Sequence, residues 1–155
     1  MNQTRRQVMQ LGATSVGLAA ASGFLPATAM AADAPGWDPK LFEAKSLDEV
    51  AQILGVSAAE SGDVSIVGPD IAENGAVVPV GVKATAAGAT AIGIVVKNNP
   101  TALVALFHLK DGAQPGVATR IKMAKTSDVY AVALAGGKLL YATKEIKVTL
   151  GGCGG

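Results

Sequence analysis

The single cysteine of the chain, Cys153, is the residue best suited to do chemistry. It lies two residues before the C-terminus and has two glycines on each side, namely Gly151, Gly152, Gly154 and Gly155. A thiolate is a nucleophile that forms covalent adducts with sulfur compounds. Glycine has no Cβ and adopts positive φ angles readily, so these four glycines predict a flexible arm that carries the thiol. An extended chain advances about 3.3–3.6 Å per residue, which lets Cys153 reach roughly 10 Å beyond Leu150.

No residue near Cys153 in the sequence is suited to activate its thiol. A nucleophilic enzyme needs a base within hydrogen-bond reach, and the one histidine, His108, falls inside an apolar stretch. A Cys153–His108 dyad would require the arm to fold back onto that stretch; the alternative is that His108 is a core or rim residue. One cysteine and one histidine do not complete a metal site, which needs three or four ligands. We therefore expect no metal, no cofactor and no nucleic-acid site, and a thiol that other enzymes activate in their own pockets.

The segment just before the arm predicts a strand. In Lys144–Leu150, apolar and polar residues alternate strictly, with Ile146, Val148 and Leu150 on one side. This period of two is typical of a strand with one buried face. A rigid strand is thus expected to run directly into the flexible arm.

Three stretches of the sequence carry a resemblance to a known family. The ending Val148-Thr149-Leu150-Gly151-Gly152-Cys153-Gly154-Gly155, the block 71–80 and the block 120–128 resemble the Y subunit of the Sox thiosulfate-oxidation carrier, SoxY. By this resemblance, Cys153 would carry sulfur intermediates covalently, as S-thiosulfonate and related adducts, on a swinging glycine arm. The chain itself would then be a carrier rather than an enzyme.

The resemblance also implies partners. The standing partner would be the Z subunit of the same carrier, SoxZ, which forms a heterodimer with the Y subunit. A haem-containing enzyme (SoxAX-like), a hydrolase (SoxB-like) and a molybdenum-haem enzyme (SoxCD-like) would visit the arm in turn. Two other hypotheses stay open: an independent thiol sulfurtransferase or peroxidase, and an adaptor whose tail thiol forms a mixed disulfide.

The N-terminal segment has the features of an export signal. Thr4-Arg5-Arg6-Gln7 is typical of a twin-arginine signal, and the apolar stretch 11–25 that follows is too short to span a bilayer comfortably. Two A-x-A sites follow, and we expect cleavage after Ala31 rather than Ala29. The mature protein would then be periplasmic, without a membrane segment. Because the twin-arginine pathway moves folded proteins and no cofactor site is evident, we expect a partner to be acquired before export.

Charge is distributed unevenly along the 155 residues. Residues 32–82 hold two lysines and nine acids, hence −7, while residues 83–155 hold nine basic residues and three acids, hence +6. A positive field would attract anions such as thiosulfate, or an acidic partner surface. The alternative is that the two halves interleave in the folded protein.

A short helix is predicted near the mature N-terminus. Residues 33–42 contain two prolines and a glycine, so we expect them to form an irregular arm. We expect Trp37 to anchor this arm to the body or to a partner. Ser46-Leu47-Asp48-Glu49 is a capping-box sequence, and apolar residues follow with helical spacing up to a stop at Gly55. The stretch 57–60 is expected to add a second helical turn.

From residue 64 onward, short apolar runs alternate with turn residues, which is typical of an antiparallel sandwich. The runs are 64–67, 76–82, 91–96, 103–109, 117–123, 129–134, 138–141 and 144–150. Pro79 cannot donate a ladder hydrogen bond, so its strand is expected at a sheet edge or at a bulge. Gly136-Gly137 predicts a two-residue hairpin turn. The stretch 103–109 is apolar on both faces, so we expect either a central strand or a face that meets another subunit.

The sequence therefore predicts a mainly β protein, an immunoglobulin-like antiparallel sandwich with a short N-terminal helix and a flexible C-terminal arm. Its expected parts are a signal peptide at 1–31, an arm and helix at 32–62, the sandwich at 63–150 and the substrate-carrying arm at 151–155.

Overall fold

The computed structural model describes residues 38–150, and its secondary structure is mainly β. A 3-10 helix spans Pro39–Phe42, and helix α1 spans Leu47–Ile53. The strands of the described residues are β1 (Ser57–Glu60), β2 (Val64–Val67), β3 (Ile71–Ala72), β4 (Val78–Ala84), β5 (Ala91–Val96), β6 (Leu103–His108), β7 (Gly116–Ile121), β8 (Ser127–Ala135) and β9 (Lys138–Val148).

These strands form two sheets that pack as a sandwich. The larger sheet has the order β1-β9-β8-β5-β6, with β3 also paired to β9, and the smaller has the order β2-β4-β7. Most pairings are antiparallel, as predicted, but β1 and β3 both run parallel to β9. The expected immunoglobulin-like sandwich with a short N-terminal helix is thus confirmed, whereas the C-terminal arm lies outside the described residues.

Alternating side chains of the two sheets fill the space between them. In β4 the inward residues Val78, Val80 and Val82 are almost fully buried, whereas Pro79 between them and Lys83 after them are exposed. They pack with Ile92 and Ile94 of β5 in one apolar cluster. Burying a valine or isoleucine side chain contributes about 1.5–3 kcal/mol, so this cluster supplies the main driving force for the sandwich.

A second apolar layer lies on the outer face of the larger sheet, where α1 and the 3-10 helix cover it. Leu41 and Val50 from these helices pack with Leu103, Val132 and Leu139 from the sheet. Helix α1 begins as predicted, because the Ser46 side-chain oxygen accepts a hydrogen bond from the Glu49 backbone N–H at 3.1 Å. Strands in the middle of this sheet are therefore buried on both faces.

This second layer explains the apolar character of the stretch 103–109. The expectation of a central strand is wrong, since β6 is an edge strand of the larger sheet. Phe107 packs towards the core between the sheets, while Leu106 packs with the layer under the helices. Both faces of β6 therefore contact this same chain, and among residues 38–150 no strand pairs with its outer backbone edge.

Three further expectations about local structure are wrong. Residues 57–60 form β1 rather than a helical turn, because they pair with residues 138–141 of β9. The runs 138–141 and 144–150 belong to one continuous strand, β9. The strand of Pro79 is neither an edge strand nor bulged, since β4 lies between β2 and β7. Proline has no backbone N–H to donate to a neighbouring strand. Pro79 is nevertheless tolerated, because β2 pairs only with residues 81–84 and does not extend to Pro79.

The hairpin at Gly136-Gly137 is confirmed. Both glycines have positive φ, 56° and 71°, as a type I′ turn requires at its two central residues. The turn sets the register between β8 and β9, which pair over nine residues from Ser127↔Ile146 to Ala135↔Lys138.

Glycine 93 offers a test of how tightly the larger sheet is packed. A Cβ at this position would lie 2.7 Å from the Ala105 carbonyl oxygen, so we expect Gly93→Ala to destabilise the fold by about 1–3 kcal/mol. A Cβ at Gly81 would meet its nearest atoms at 3.5 Å, so Gly81→Ala should be neutral or slightly stabilising. Urea denaturation of both variants measures the difference. Equal stability of the two would contradict the packing described for β5.

Candidate functional site

The chain enters its C-terminal segment from a firmly held position at the end of β9. We call Val148–Leu150 the tail root. The Thr149 backbone N–H donates to the Ala72 carbonyl at 3.1 Å, and its hydroxyl donates to the Glu73 carbonyl at 3.0 Å. The Val148 N–H donates to the Thr126 hydroxyl oxygen at 3.0 Å. The position and direction of the chain are therefore fixed up to Leu150.

Gly75 joins the tail root to a second loop. Its N–H donates to the Leu150 carbonyl and its carbonyl accepts from the Met123 N–H, both at 2.7 Å. Met123 is fully buried, which fixes this loop to the core. The two internal sequence blocks singled out above, 71–80 and 120–128, thus meet at the tail root.

Two asparagines hold the loop that follows β7. The Asn99 side chain donates to the Lys122 carbonyl at 2.8 Å and accepts from the Ala124 N–H at 2.9 Å. The Asn98 side chain donates to the Thr126 carbonyl at 2.9 Å. A loop whose backbone groups are bonded in this way keeps one conformation, so Thr126 is correctly placed to accept from Val148.

An ion pair holds the other side of the tail root. Lys144 Nζ lies 2.9 Å from a carboxylate oxygen of Asp70 and donates to the Gly68 carbonyl at 2.6 Å. A hydrogen bond from Lys144, together with its charge, lowers the pKa of Asp70 below its ordinary value. The Lys147 N–H donates to the Asp70 carbonyl, so this loop is tied both to the side chain and to the backbone of β9.

Large apolar side chains are exposed around the tail root. Ile71, Val77 and Leu150 are 57%, 54% and 61% exposed. Ile71 pairs with Lys147 of β9, and Val77 follows the loop that bonds Leu150. Exposed apolar residues grouped in this way are typical of a surface that another protein contacts.

A shallow apolar trough lies on the outer face of the smaller sheet. It encloses about 640 Å³ and is lined mainly by Val67, Pro69, Pro79, Gly81, Val117 and Ala118. The residues in the middle of this lining, such as Gly81 and Ala118, have small side chains or none. The trough is apolar, whereas the outward face of a sandwich is usually polar. Val67, a large apolar side chain in its lining, is 58% exposed.

The structure excludes an intramolecular pair between Cys153 and His108. His108 lies in one row with Ala91, Leu134 and Leu139, at the hairpin end of the larger sheet. Nine strand steps from Leu139 to Val148 span about 30 Å. Cys153 is five residues beyond Val148 and reaches at most about 17 Å from it. His108 is an exposed residue at the rim of the sheet.

The sequence-predicted site itself, Cys153 with its four glycines, lies outside the described residues, and so does Trp37. Within residues 38–150, no group of three or more histidine, cysteine or acidic side chains could hold a metal ion. In this same range, no helix has the length and apolar character needed to cross a membrane.

A comparison with protein-family models identifies the family. The model described as "Sulfur oxidation protein SoxY" matches residues 50–153, which is 104 of the 155 residues, and the match ends at Cys153. This chain belongs to the SoxY family. The resemblance noted from the sequence is thereby confirmed, and with it a carrier role in sulfur oxidation.

A solved structure agrees with this assignment. The sulfur carrier protein SoxY from Chlorobium limicola f thiosulfatophilum is 42% identical, with a TM-score of 0.60; the alignment covers 66% of this chain and 94% of that protein. No curated protein sequence matches this chain. The similarity extends to the sandwich, so the fold that holds the tail root is the SoxY fold.

Sequence reasoning identified Cys153 but missed the residues that hold the tail root. Thr126, Asn98 and Asn99 had no assigned role, since their contacts to residues 20 or more positions away cannot be seen locally. The available signal was the turn sequence Asn98-Asn99-Pro100 directly after β5.

The ion pair of Asp70 predicts a pH dependence of stability. Because the pKa of Asp70 is lowered in the folded protein, its carboxylate stabilises the fold above its ordinary pKa, about 4, and this contribution is lost as the pH falls further. Asp70→Asn should therefore be less stable than the parent at pH 7 and equally stable near pH 2. The effect should be small, because the Asp70 side chain is 90% exposed. Urea denaturation at both pH values measures it, with Asp111→Asn as the control; a difference that persists at low pH would contradict the assignment.

Proposed function

We propose that this chain carries sulfur intermediates of thiosulfate oxidation as covalent adducts on Cys153, at the end of a glycine arm that partner enzymes receive. One observation carries the proposal. The chain is fixed up to Leu150 by hydrogen bonds from three segments, and directly afterwards the sequence changes to Gly-Gly-Cys-Gly-Gly. A fixed root followed by residues without side chains is what a thiol needs to enter a narrow pocket while the sandwich stays outside.

The chemistry that follows from this proposal is simple to balance. Thiosulfate joins the thiol as R–SH + S2O3²⁻ → R–S–S–SO3⁻ + H⁺ + 2e⁻, and the two electrons pass to a haem-containing partner enzyme. Water then releases sulfate as R–S–S–SO3⁻ + H2O → R–S–SH + SO4²⁻ + H⁺, with a hydrolase as the catalyst. The remaining sulfane sulfur is oxidised by a molybdenum-haem partner. SoxAX-like, SoxB-like and SoxCD-like enzymes fit these three steps.

The match to the SoxY family and the solved sulfur carrier protein support a carrier without catalysis of its own. His108 is out of reach of Cys153. A base for the thiol must therefore come from the partner enzyme or from charged side chains near the tail root. The competing proposal, an independent sulfurtransferase, requires turnover by the isolated protein.

Residues 1–31 are proposed to act as a twin-arginine signal that delivers the folded protein to the periplasm, with cleavage after Ala31. The Arg5-Arg6 pair, the short apolar stretch and the A-x-A sites support this proposal. An oxidising compartment is compatible with one cysteine, which cannot form an internal disulfide.

A SoxZ-like chain is proposed as the standing partner in a heterodimer. Two surfaces of residues 38–150 support a partner: the backbone edge of the apolar strand β6, with which no strand in this range pairs, and the trough with the exposed Val67. An uncovered apolar edge strand is an aggregation hazard, and a permanent partner removes it. We place the partner at the β6 edge.

The carrier proposal predicts the effect of Cys153→Ser. This variant should abolish thiosulfate oxidation in a reconstituted system and leave the melting temperature unchanged, because the thiol has no role in the sandwich. Intact mass of the parent after thiosulfate feeding should show adducts of thiosulfonate, sulfane or sulfite size, and the variant should show none. Retained activity in the variant, or turnover by the isolated parent, would refute the carrier proposal.

The partner proposal predicts which substitutions weaken the complex. His108→Glu at the end of β6 should reduce co-purification with the SoxZ-like chain, whereas Lys138→Glu, exposed at the hairpin, should not. Val67→Glu tests the trough in the same assay and would move the interface there if it alone dissociates the pair. Lys144 is unsuitable as a control because it pairs with Asp70. A stable and fully active monomer without a second chain would contradict a standing partner.

A further inference from the structure

Four cationic side chains lie on the segments that lead to the tail root and to the loop bonded to it. Arg120 and Lys122 lie in and just after β7, Lys125 lies in the loop that donates Thr126 to Val148, and Lys147 immediately precedes the tail root in β9. Met123, between Lys122 and Lys125, connects through two hydrogen bonds of 2.7 Å and the single residue Gly75 to Leu150. Arg120, Lys122, Lys125 and Lys147 are all exposed.

These four charges are not neutralised by ion pairs within the described residues. Between residues 38 and 150 the ion pairs are Lys97–Asp128 and Lys144–Asp70. The negative charges of both aspartates near the tail root are therefore compensated by other lysines. The acids that remain close are Glu73, whose carbonyl binds Thr149, and Glu145, two residues before Lys147. The local balance is therefore four positive against two negative charges.

The cations are held in place rather than spread over a mobile loop. Asn99 bonds the backbone on both sides of Met123, and Asn98 bonds the backbone of Thr126. Lys122 and Lys125 thus project from a loop of fixed conformation. The block 120–128, which sequence analysis singled out without assigning it a role, combines a rigid backbone with three of the four charges.

We propose that Arg120, Lys122, Lys125 and Lys147 form a cationic collar that attracts small anionic sulfur species to the Cys153 thiol and retains their anionic adducts beside the sandwich. The proposal rests on the proposed function for the identity of the adduct. Three residues of extended chain let Cys153 reach roughly 10 Å beyond Leu150, which is comparable with the Debye length at physiological ionic strength, about 8 Å. The field of the collar therefore extends over the range of the thiol and requires no bound geometry.

Two consequences follow for the thiol. A positive potential favours the thiolate over the thiol, which raises the reactive fraction at neutral pH. It also raises the local concentration of anions such as thiosulfate relative to neutral molecules of similar size. Only the second effect distinguishes reagents by charge, so the test must compare an anionic with a neutral reagent.

Iodoacetate and iodoacetamide form such a pair. Each alkylates the thiolate with loss of iodide, as R–S⁻ + I–CH2–COO⁻ → R–S–CH2–COO⁻ + I⁻ for the anionic reagent. Because Cys153 is the only cysteine, intact mass reports a single site. The ratio of the iodoacetate rate to the iodoacetamide rate cancels the thiolate fraction and leaves the effect of the local potential.

The test variant is the double substitution Lys122→Glu/Lys125→Glu, and the matched control is Lys110→Glu/Lys138→Glu. The control lysines are exposed and lie at the hairpin end of the sandwich, since Leu109 bonds Thr90 and Lys138 pairs with Ala135. Both variants change the net charge equally. At about 10 mM salt we expect the rate ratio to fall about threefold to tenfold in the test variant and to remain unchanged in the control. At about 1 M salt the difference should disappear.

Several results would overturn the collar. These are an unchanged ratio in the test variant, an equal fall in the control, which would reflect net charge alone, or a fall that persists at high salt. An unchanged ratio together with weaker binding to a partner enzyme would assign the cations to an acidic partner surface instead. Loss of the carrier proposal would appear separately, as activity retained by Cys153→Ser, because alkylation rates require no partner enzyme.

Discussion

The two hydrogen bonds of Gly75 are the constraint on which the geometry of the candidate site depends. One buried residue connects the loop between β3 and β4, the loop after β7 and the last described residue of the chain. Each sheet contributes to this junction, so the tail root is fixed only when both sheets have formed and packed. Buried backbone groups cost free energy when they lack partners, which makes the junction cooperative with the rest of the core.

The interleaving of the two halves of the chain follows from the same topology. β4 lies between β2 and β7, and β9 receives both β1 and β3 from the first half. The acidic first half and the basic second half therefore do not form two separate charged faces, and Lys144–Asp70 joins them directly. Four of the cations that form no ion pair within residues 38–150 lie in β7, in the loop that follows it and near the end of β9.

Sequence patterns predicted those elements whose structure is set locally. The bounds of β2 and β5, the cap of α1 and the glycine turn of the hairpin depend on alternation, capping and backbone preference within a few residues. The strand at 57–60 was missed because its residues favour a helix start and become a strand only by pairing with residues 81 positions away, as Ser57↔Lys138 shows. The sequence of β6 showed that both of its faces are apolar. It did not show that helices of the same chain cover one of these faces. In the candidate site, Cys153 was evident from its neighbours, whereas Thr126, Asn99 and Gly75 act through contacts between distant segments.

The continuity of β9 has a mechanical consequence. The strand that ends in the tail root is bonded to β8 over nine residue pairs and to β1 and β3 on its other side. If residues 151–155 carry the substrate as proposed, a partner that pulls on them would load β9 along its axis. The hydrogen bonds of β9 would then resist in shear and share the force instead of opening one after another, because the tension would enter the fold through the longest strand of the described residues.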